Sequence, residues 1–191
     1  SAKYLKYLDK ELALQSGYLE GSHDVVQLHW GGGTPTFLSH DEMRQLMGSI
    51  REHFHLQPNG EYSIEVDPRK VDEATVALLG ELGFNRMSLG VQDFDLAVQE
   101  AVNRVQSIEE TESVLRAARA NGFKSISVDL IYGLPKQNVI SFNHTLDEVL
   151  KLSPDRLSIY NYAHLPSLAK PQRRIHESEL PSADAKLQIL Q

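Results

Sequence analysis

Apolar residues along this chain recur with two periods, about 3.6 and about 2, and the switches between them mark its elements. Tyr4, Leu5, Leu8 and Leu12 keep helical spacing with Lys6, Asp9, Lys10 and Glu11 between them, predicting an opening amphipathic helix whose exit Gly17 and Gly21 bracket. Val25 to Trp30 reads as a strand. After Gly31 to Gly33, Ser39 and Glu42 form a capping box ahead of a helix to about His53. The unit of strand, loop and helix then repeats. Strands are predicted over Glu61 to Val66, Arg86 to Val91, Lys124 to Ile131 and Leu157 to Tyr162. Helices are predicted over Val71 to Leu82, from a second capping box at Ser107 and Glu110 to Ala120, and over Phe142 to Leu152. Past Pro166 the pattern weakens, and a polar crossing from Pro171 to Pro181 leads to a last helix over Ala185 to Gln191.

Alternating strands and helices of this length predict an α/β fold with a parallel sheet and helices outside, either an open sheet or a barrel. Strand parity separates the two. Ile64 and Val66 oppose Ser63, Glu65 and Asp67; Met87, Leu89 and Val91 oppose Arg86, Ser88, Gly90 and Gln92. Ile126, Val128 and Leu130 oppose Ser125, Ser127 and Asp129, and Leu157 and Ile159 oppose Ser158, Tyr160 and Tyr162. A parallel strand covered by helices on both faces is apolar throughout. These have one apolar and one polar face, which favours helices on one side and a roomy lumen on the other, as in an incomplete barrel. The plainer alternative is that the serines fill a tapered core.

Composition narrows the classes. A formal charge of -7 and a pI near 5.6 argue against a phosphate-tracking surface, and so against nucleic acid as a partner. No window reaches the roughly 18 apolar residues of a membrane helix, and no secretory h-region opens the chain, so a cytoplasmic location is expected. The absence of cysteine excludes thiolate-held zinc or iron-sulfur sites within these 191 residues. The eight histidines show no metal-ligand spacing. The lack of an initiator Met and the helical ending predict a segment of a longer protein.

Barrels place their sites at the carboxyl ends of the strands. There this chain presents Gly31 to Thr34, Glu65, Gln92, Asp129 and the segment around Ala163. Glu65 and Asp129 suit ribose hydroxyls or an ammonium group, Gln92 donates and accepts, and the bared glycine backbone offers a ligand surface. Arg104 could grip a carboxylate through its fork of donors. The set suits an amino acid joined to a nucleoside. Each residue also has a duller reading, as an internally bonded carboxylate, a loop buttress or a surface arginine.

Five motifs carry a resemblance: His29 to Thr36 (HWGGGTPT), Glu65 to Pro68 (EVDP), Gly90 to Phe94 (GVQDF), Asp129 to Pro135 (DLIYGLP) and Asn161 to Pro166 (NYAHLP). In this order the chain resembles the oxygen-independent coproporphyrinogen III oxidases of the radical S-adenosylmethionine (SAM) superfamily, over nearly its whole length. The resemblance implies five parallel strands of an incomplete (β/α)6 TIM-like barrel with SAM at its open mouth. It implies backbone contacts from Gly32, Gly33 and Thr34 to the methionyl end, polar contacts from Glu65, Gln92, Arg104 and Asp129, and the backbone of Ala163 beside adenine. Two SAM molecules side by side are compatible with the family, so no residue is given to one of them. Arg69 or Lys136 is a candidate for a substrate propionate.

The activity implied is oxidative decarboxylation of two propionates of coproporphyrinogen III to vinyl groups, giving protoporphyrinogen IX in heme biosynthesis, with an electron donor and acceptor as further partners. It also implies a monomeric full-length protein with a [4Fe-4S] cluster held by a Cys-x-x-x-Cys-x-x-Cys loop after the first barrel strand. That loop lies outside these residues, so residues 1–191 are expected to be the central part of one barrel domain, without the first strand or the C-terminal domain, and inactive alone. Three rivals stand: a heme chaperone of the same superfamily, a phosphate-binding barrel enzyme unrelated to radicals, and a purely structural fragment.

Overall fold

The computed structural model describes residues 1–191. Helix α1 (Ala2–Ser16) leads into β1 (Asp24–Trp30), followed by α2 (His40–His53), β2 (His55–Val66), α3 (Glu73–Glu81) and β3 (Arg86–Gln92). Then come α4 (Leu96–Ala101), α5 (Ile108–Ala120), β4 (Ser125–Tyr132), α6 (Val139–Leu152), β5 (Arg156–Asn161) and α7 (Ala183–Leu190). The strands form one parallel sheet in the order β1-β2-β3-β4-β5. It curls into a half-barrel with helices around it, the partial barrel that parity predicted.

Parity sets the two faces. Ile64, Val66, Met87, Leu89, Ile126, Val128 and Leu130 are all buried against the helices. Each such side chain contributes roughly 1.5–3 kcal/mol through burial, so the outer layer carries the stability. Ser63, Ser88, Ser125, Ser127 and Ser158 turn the other way and line a polar cavity of about 450 Å³ on the concave side. The serines therefore face an open lumen and do not fill a tapered core. The face of β5 departs from the pattern. Leu157 and Ile159 are 40% and 41% exposed, unlike their buried counterparts in β2 to β4.

Both predicted capping boxes form, at Ser39 with Glu42 and at Ser107 with Glu110. Two helix starts differ from expectation. The Asp72 carboxylate accepts from Thr75 N at 2.8 Å and starts α3 after Val71, and Asn138 caps Ile140 N and Ser141 N to start α6 before Phe142. Strand β2 begins at His55, earlier than Glu61, because Asp24 and Val25 pair with His55 and Leu56. A register shift between Val25 and Gln27 absorbs Gln57 to Gly60. The Tyr62 hydroxyl folds over Gly60 and donates to Gln57 O at 2.6 Å, filling the space a Cβ would need.

Candidate functional site

The loops at the carboxyl ends of β1 to β4 meet at one cavity of about 180 Å³. Gly33, Thr34, Glu65, Gln92, Arg104 and Asp129 line it, with Asp67, Ser88 and Gly90 completing the wall. Sequence reasoning placed the first six together, and the structure brings them together.

On the β1 side, Trp30 packs edge-on against Phe84, with ring centroids 4.9 Å apart, and anchors the strand end before the glycines. Gly32 then takes a φ of 103°, and its N–H donates to Glu65 Oε2 at 3.3 Å. Glu65 is also held by His29, whose Nε2 lies 3.3 Å from Oε1 while its Nδ1 meets Ser63 Oγ at 2.8 Å. A Cβ on Gly31 would collide with His29 Nε2 and come within 2.8 Å of Glu65 Oε1. The glycine lets both side-chain ends lie this close to the backbone. Sequence reasoning missed His29 because a lone histidine on the polar face of a strand carries no spacing signal.

The β2 side is built on Asp67. Arg69 donates to both its oxygens, from Nε at 2.9 Å and from a terminal nitrogen at 2.7 Å, and Arg104 approaches from across the cavity at 3.3 Å. Burial pushes the Asp67 carboxyl up, but the bonds from Arg69 and the charge of Arg104 outweigh it and hold the group below its ordinary value. Arg104 is lowered, chiefly by its own burial. It also donates to Gly90 O at 2.7 Å. A Cβ on Gly90 would come within 3.0 Å of Gln92 Nε2 and 3.1 Å of Arg104, so this glycine lets both side chains reach the cavity.

At the end of β3 the register shifts between Gly90 and Gln92, and Gln92 adopts a left-handed φ of 70°. For a residue with a Cβ this conformation costs on the order of 1–2 kcal/mol. Across from it, Asp129 accepts from Ser88 Oγ at 2.7 Å through Oδ2. Burial raises the Asp129 carboxyl above its ordinary value, Ser88 and Ser158 pull it back, and nearby Glu65 adds to the rise. Asp129 Oδ1 is buried without a hydrogen-bond partner, and so is Arg104 Nε. Each such atom costs roughly 1–3 kcal/mol unless a ligand completes it. One orphan is an acceptor and the other a donor.

Three further residues that the sequence singles out lie outside this cavity. Ala163 does not reach this cavity. It is exposed beyond β5, and its carbonyl accepts from Gln172 Nε2 at 3.0 Å. Arg69 is committed to Asp67, and Lys136 lies 3.7 Å from Glu179, so neither is the free cation expected for a propionate. A second cavity of about 940 Å³ adjoins the first, sharing Gln92 and Arg104 and bordered by Tyr162, Lys170 and Arg174. No cysteine is present, so iron-sulfur ligands are not among these residues. No helix is long and apolar enough to cross a membrane.

A half-barrel of parallel strands with a polar cavity at its carboxyl rim points to one class of protein, and a family match agrees. Residues 7–149 match the radical SAM superfamily, and the chain belongs to it. Within that superfamily it is 55% identical over 193 residues to the oxygen-independent coproporphyrinogen III oxidase of Pseudomonas aeruginosa, covering 100% of this chain and 42% of that protein. Among solved structures, coproporphyrinogen III oxidase from Escherichia coli superposes with a TM-score of 0.95 at 48% identity, over 99% of this chain and 43% of that one. An archaeal Elp3 from Methanocaldococcus infernus shares the fold at a TM-score of 0.70 and 15% identity, over 95% of this chain and 47% of that one. The chain thus spans less than half the length of these relatives, and the heme-chaperone reading finds no support among them.

Proposed function

We propose that the cavity at the rim of the half-barrel binds SAM. The observation that carries this is the pair of buried orphans, Asp129 Oδ1 and Arg104 Nε, on two residues that line one small polar space with Glu65 and the glycine loop. SAM has the matching groups: ribose hydroxyls and an ammonium for the carboxylates, and a carboxylate for Arg104. Gly32, Gly33 and Thr34 would offer backbone to the methionyl end, with Glu65, Gln92, Arg104 and Asp129 as the polar contacts. Ala163 would join them only after its carbonyl is released from Gln172, and its role beside adenine rests on family resemblance alone.

We further propose that residues 1–191 are the central part of one barrel domain in an oxygen-independent coproporphyrinogen III oxidase. The 55% identity to a relative of that name supports this reading. When bound and reductively cleaved, SAM supplies the radical that removes hydrogen from a substrate propionate. This chain's residues contribute binding and orientation. Asp67 aims Arg104, His29 and Gly32 aim Glu65, and the polar lumen gives the ligand a wet approach. The [4Fe-4S] cluster, the electron donor and acceptor, and any further domain would come from elsewhere, so these 191 residues alone are expected to be inactive. A cytoplasmic monomer is the expected setting.

Calorimetric titration of SAM into the full-length protein, with detection of 5'-deoxyadenosine and protoporphyrinogen after anaerobic reconstitution, tests both proposals. Absence of SAM binding would falsify the first. SAM cleavage without loss of propionate carbon would overturn the second. Gly31→Ala sharpens the test. His29 and Glu65 are half exposed and can swing away from the new methyl, so the melting temperature shifts by no more than about 2 °C. Displacing Glu65 is expected to weaken SAM roughly tenfold.

A further inference from the structure

Behind the proposed SAM cavity lies a buried polar network that none of its wall residues belongs to. Asp93 is 1% exposed, and its side chain has no cationic partner. Oδ1 accepts from Asp95 N at 2.7 Å and from Thr145 Oγ1 at 2.8 Å, and Oδ2 accepts from Gln137 Nε2 at 2.5 Å. A carboxyl so deeply buried without a counter-charge is expensive, and an apolar side chain would stabilise a core more simply. Its connections indicate what it does.

Gln137 reaches the loop after β4. Its Oε1 accepts from Gly133 N at 2.5 Å and Leu134 N at 3.3 Å, while Nε2 also donates to Ile131 O at 3.0 Å. Asp129 lies on β4, the strand that runs into that loop. Gln99 reaches the loop that carries Arg104. Its Nε2 donates to Asp93 O at 2.9 Å and Gln106 O at 2.8 Å, and its Oε1 accepts from Gln106 N at 3.1 Å. Between these anchors stand Asn103, with a left-handed φ of 53°, and Arg104 itself. Asp93 immediately follows Gln92, whose left-handed backbone persists only where its surroundings over-determine it. Three separate wall residues, Gln92, Arg104 and Asp129, thus stand on segments tied to one another from behind.

We infer that Asp93, Gln99 and Gln137 are positioning residues, a strut that fixes the loops after β3 and β4 relative to each other so that Gln92, Arg104 and Asp129 converge on one ligand. The inference rests on the SAM reading above. Thr145 extends the strut into α6, where it bonds both Asp93 and Phe94 N, at 2.8 and 3.0 Å. The helix therefore acts as a fixed abutment for the loops.

The test compares affinity with stability in the full-length protein. Asp93→Asn sets an amide donor against the Gln137 amide, and Gln99→Met cuts the tie to the Arg104 loop while leaving Asp93 and its donors in place. Val76→Ala, deep among the packed helices and strands, serves as a control that loses stability without touching the strut. Each strut variant is expected to weaken SAM, read by calorimetry, roughly tenfold or more, as small misplacements of convergent groups do. It should also raise KM for SAM more than it lowers kcat. Val76→Ala should leave SAM affinity unchanged. The double variant Asp93→Asn/Gln137→Glu restores a donor facing an acceptor and should recover part of the affinity, the remainder being lost with the bond to Ile131 O. Strut variants that bind SAM as tightly as wild type, or that weaken it no more than Val76→Ala does, overturn the inference. A wild-type protein that does not bind SAM overturns the underlying reading instead. If Asp93→Asn does not fold, Gln99→Met decides the matter alone.

Discussion

Asp67→Ala is expected to lower stability by roughly 2–3 kcal/mol, because deleting one partner of a largely buried ion pair leaves the other charge uncompensated. Here two guanidiniums lose the same anion. Asp67 is 12% exposed and sits between Arg69 and Arg104, which would then face each other without it. For a chain of this size the loss corresponds to roughly 4–12 °C in melting temperature. The pH dependence has a definite sign. The folded Asp67 carboxyl titrates below its ordinary value, so its contribution is complete above the unfolded carboxyl's range and is lost as pH falls through the lower, folded value. The gap between wild type and Asp67→Ala in thermal melts should therefore hold from neutral pH down to about 4 and shrink below it. A gap that closes near neutrality would show that another group carries the effect.

Glu65→Gln should act in the opposite way, on affinity and hardly on stability. Its carboxylate is half exposed, so removing the charge disturbs little of the core. The same carboxylate is aimed by Gly32 N and His29, and a charge-assisted bond to a ligand donor is worth roughly 1.5–3 kcal/mol. SAM affinity measured by calorimetry is expected to fall roughly 10- to 100-fold while the melting temperature stays near wild type. Unchanged affinity would remove Glu65 from the binding set. Comparing the two variants separates the buttress from the contact.

Strand parity made the lumen readable because side chains from Tyr62 to Val66, from Arg86 to Val91 and from Ser125 to Leu130 alternate, and the apolar members of these runs are buried. The same regularity located Glu65, Gln92 and Asp129, since strand ends at one rim converge whatever the loops do. Ala163 was not readable in this way. Past β5 the period is lost, and its place depends on Gln172, nine residues later, which no local pattern announces. The start of β2 was hidden for a related reason. Pro58, Asn59 and Gly60 look like a turn, yet pairing with β1 carries the strand through them as a bulge. Asp93 belongs to the motif Gly90 to Phe94, but its environment is set by Gln137 and Thr145, both more than forty residues away. Polar hubs of that kind are assembled by tertiary contacts and leave no periodic trace. The pairing of Asp67 with Arg69 spans only two residues, but the same arginine suits a propionate equally well, so the sequence does not choose between them.

The order of the sheet has a consequence for how the molecule is made. Each strand from β2 to β5 pairs with the strand just before it in the chain: Leu28 lies beside Tyr62, Val66 beside Leu89, Met87 beside Ile126 and Val128 beside Leu157. A polypeptide emerging from the ribosome would find, at each step, the edge of the preceding strand as a template, with the intervening helix free to close over it. Growth can run in one direction without waiting for a distant partner, which keeps the entropy of each closure modest. The cavity wall is complete only once β4 brings in Asp129, so it closes late along that path and before β5 is added.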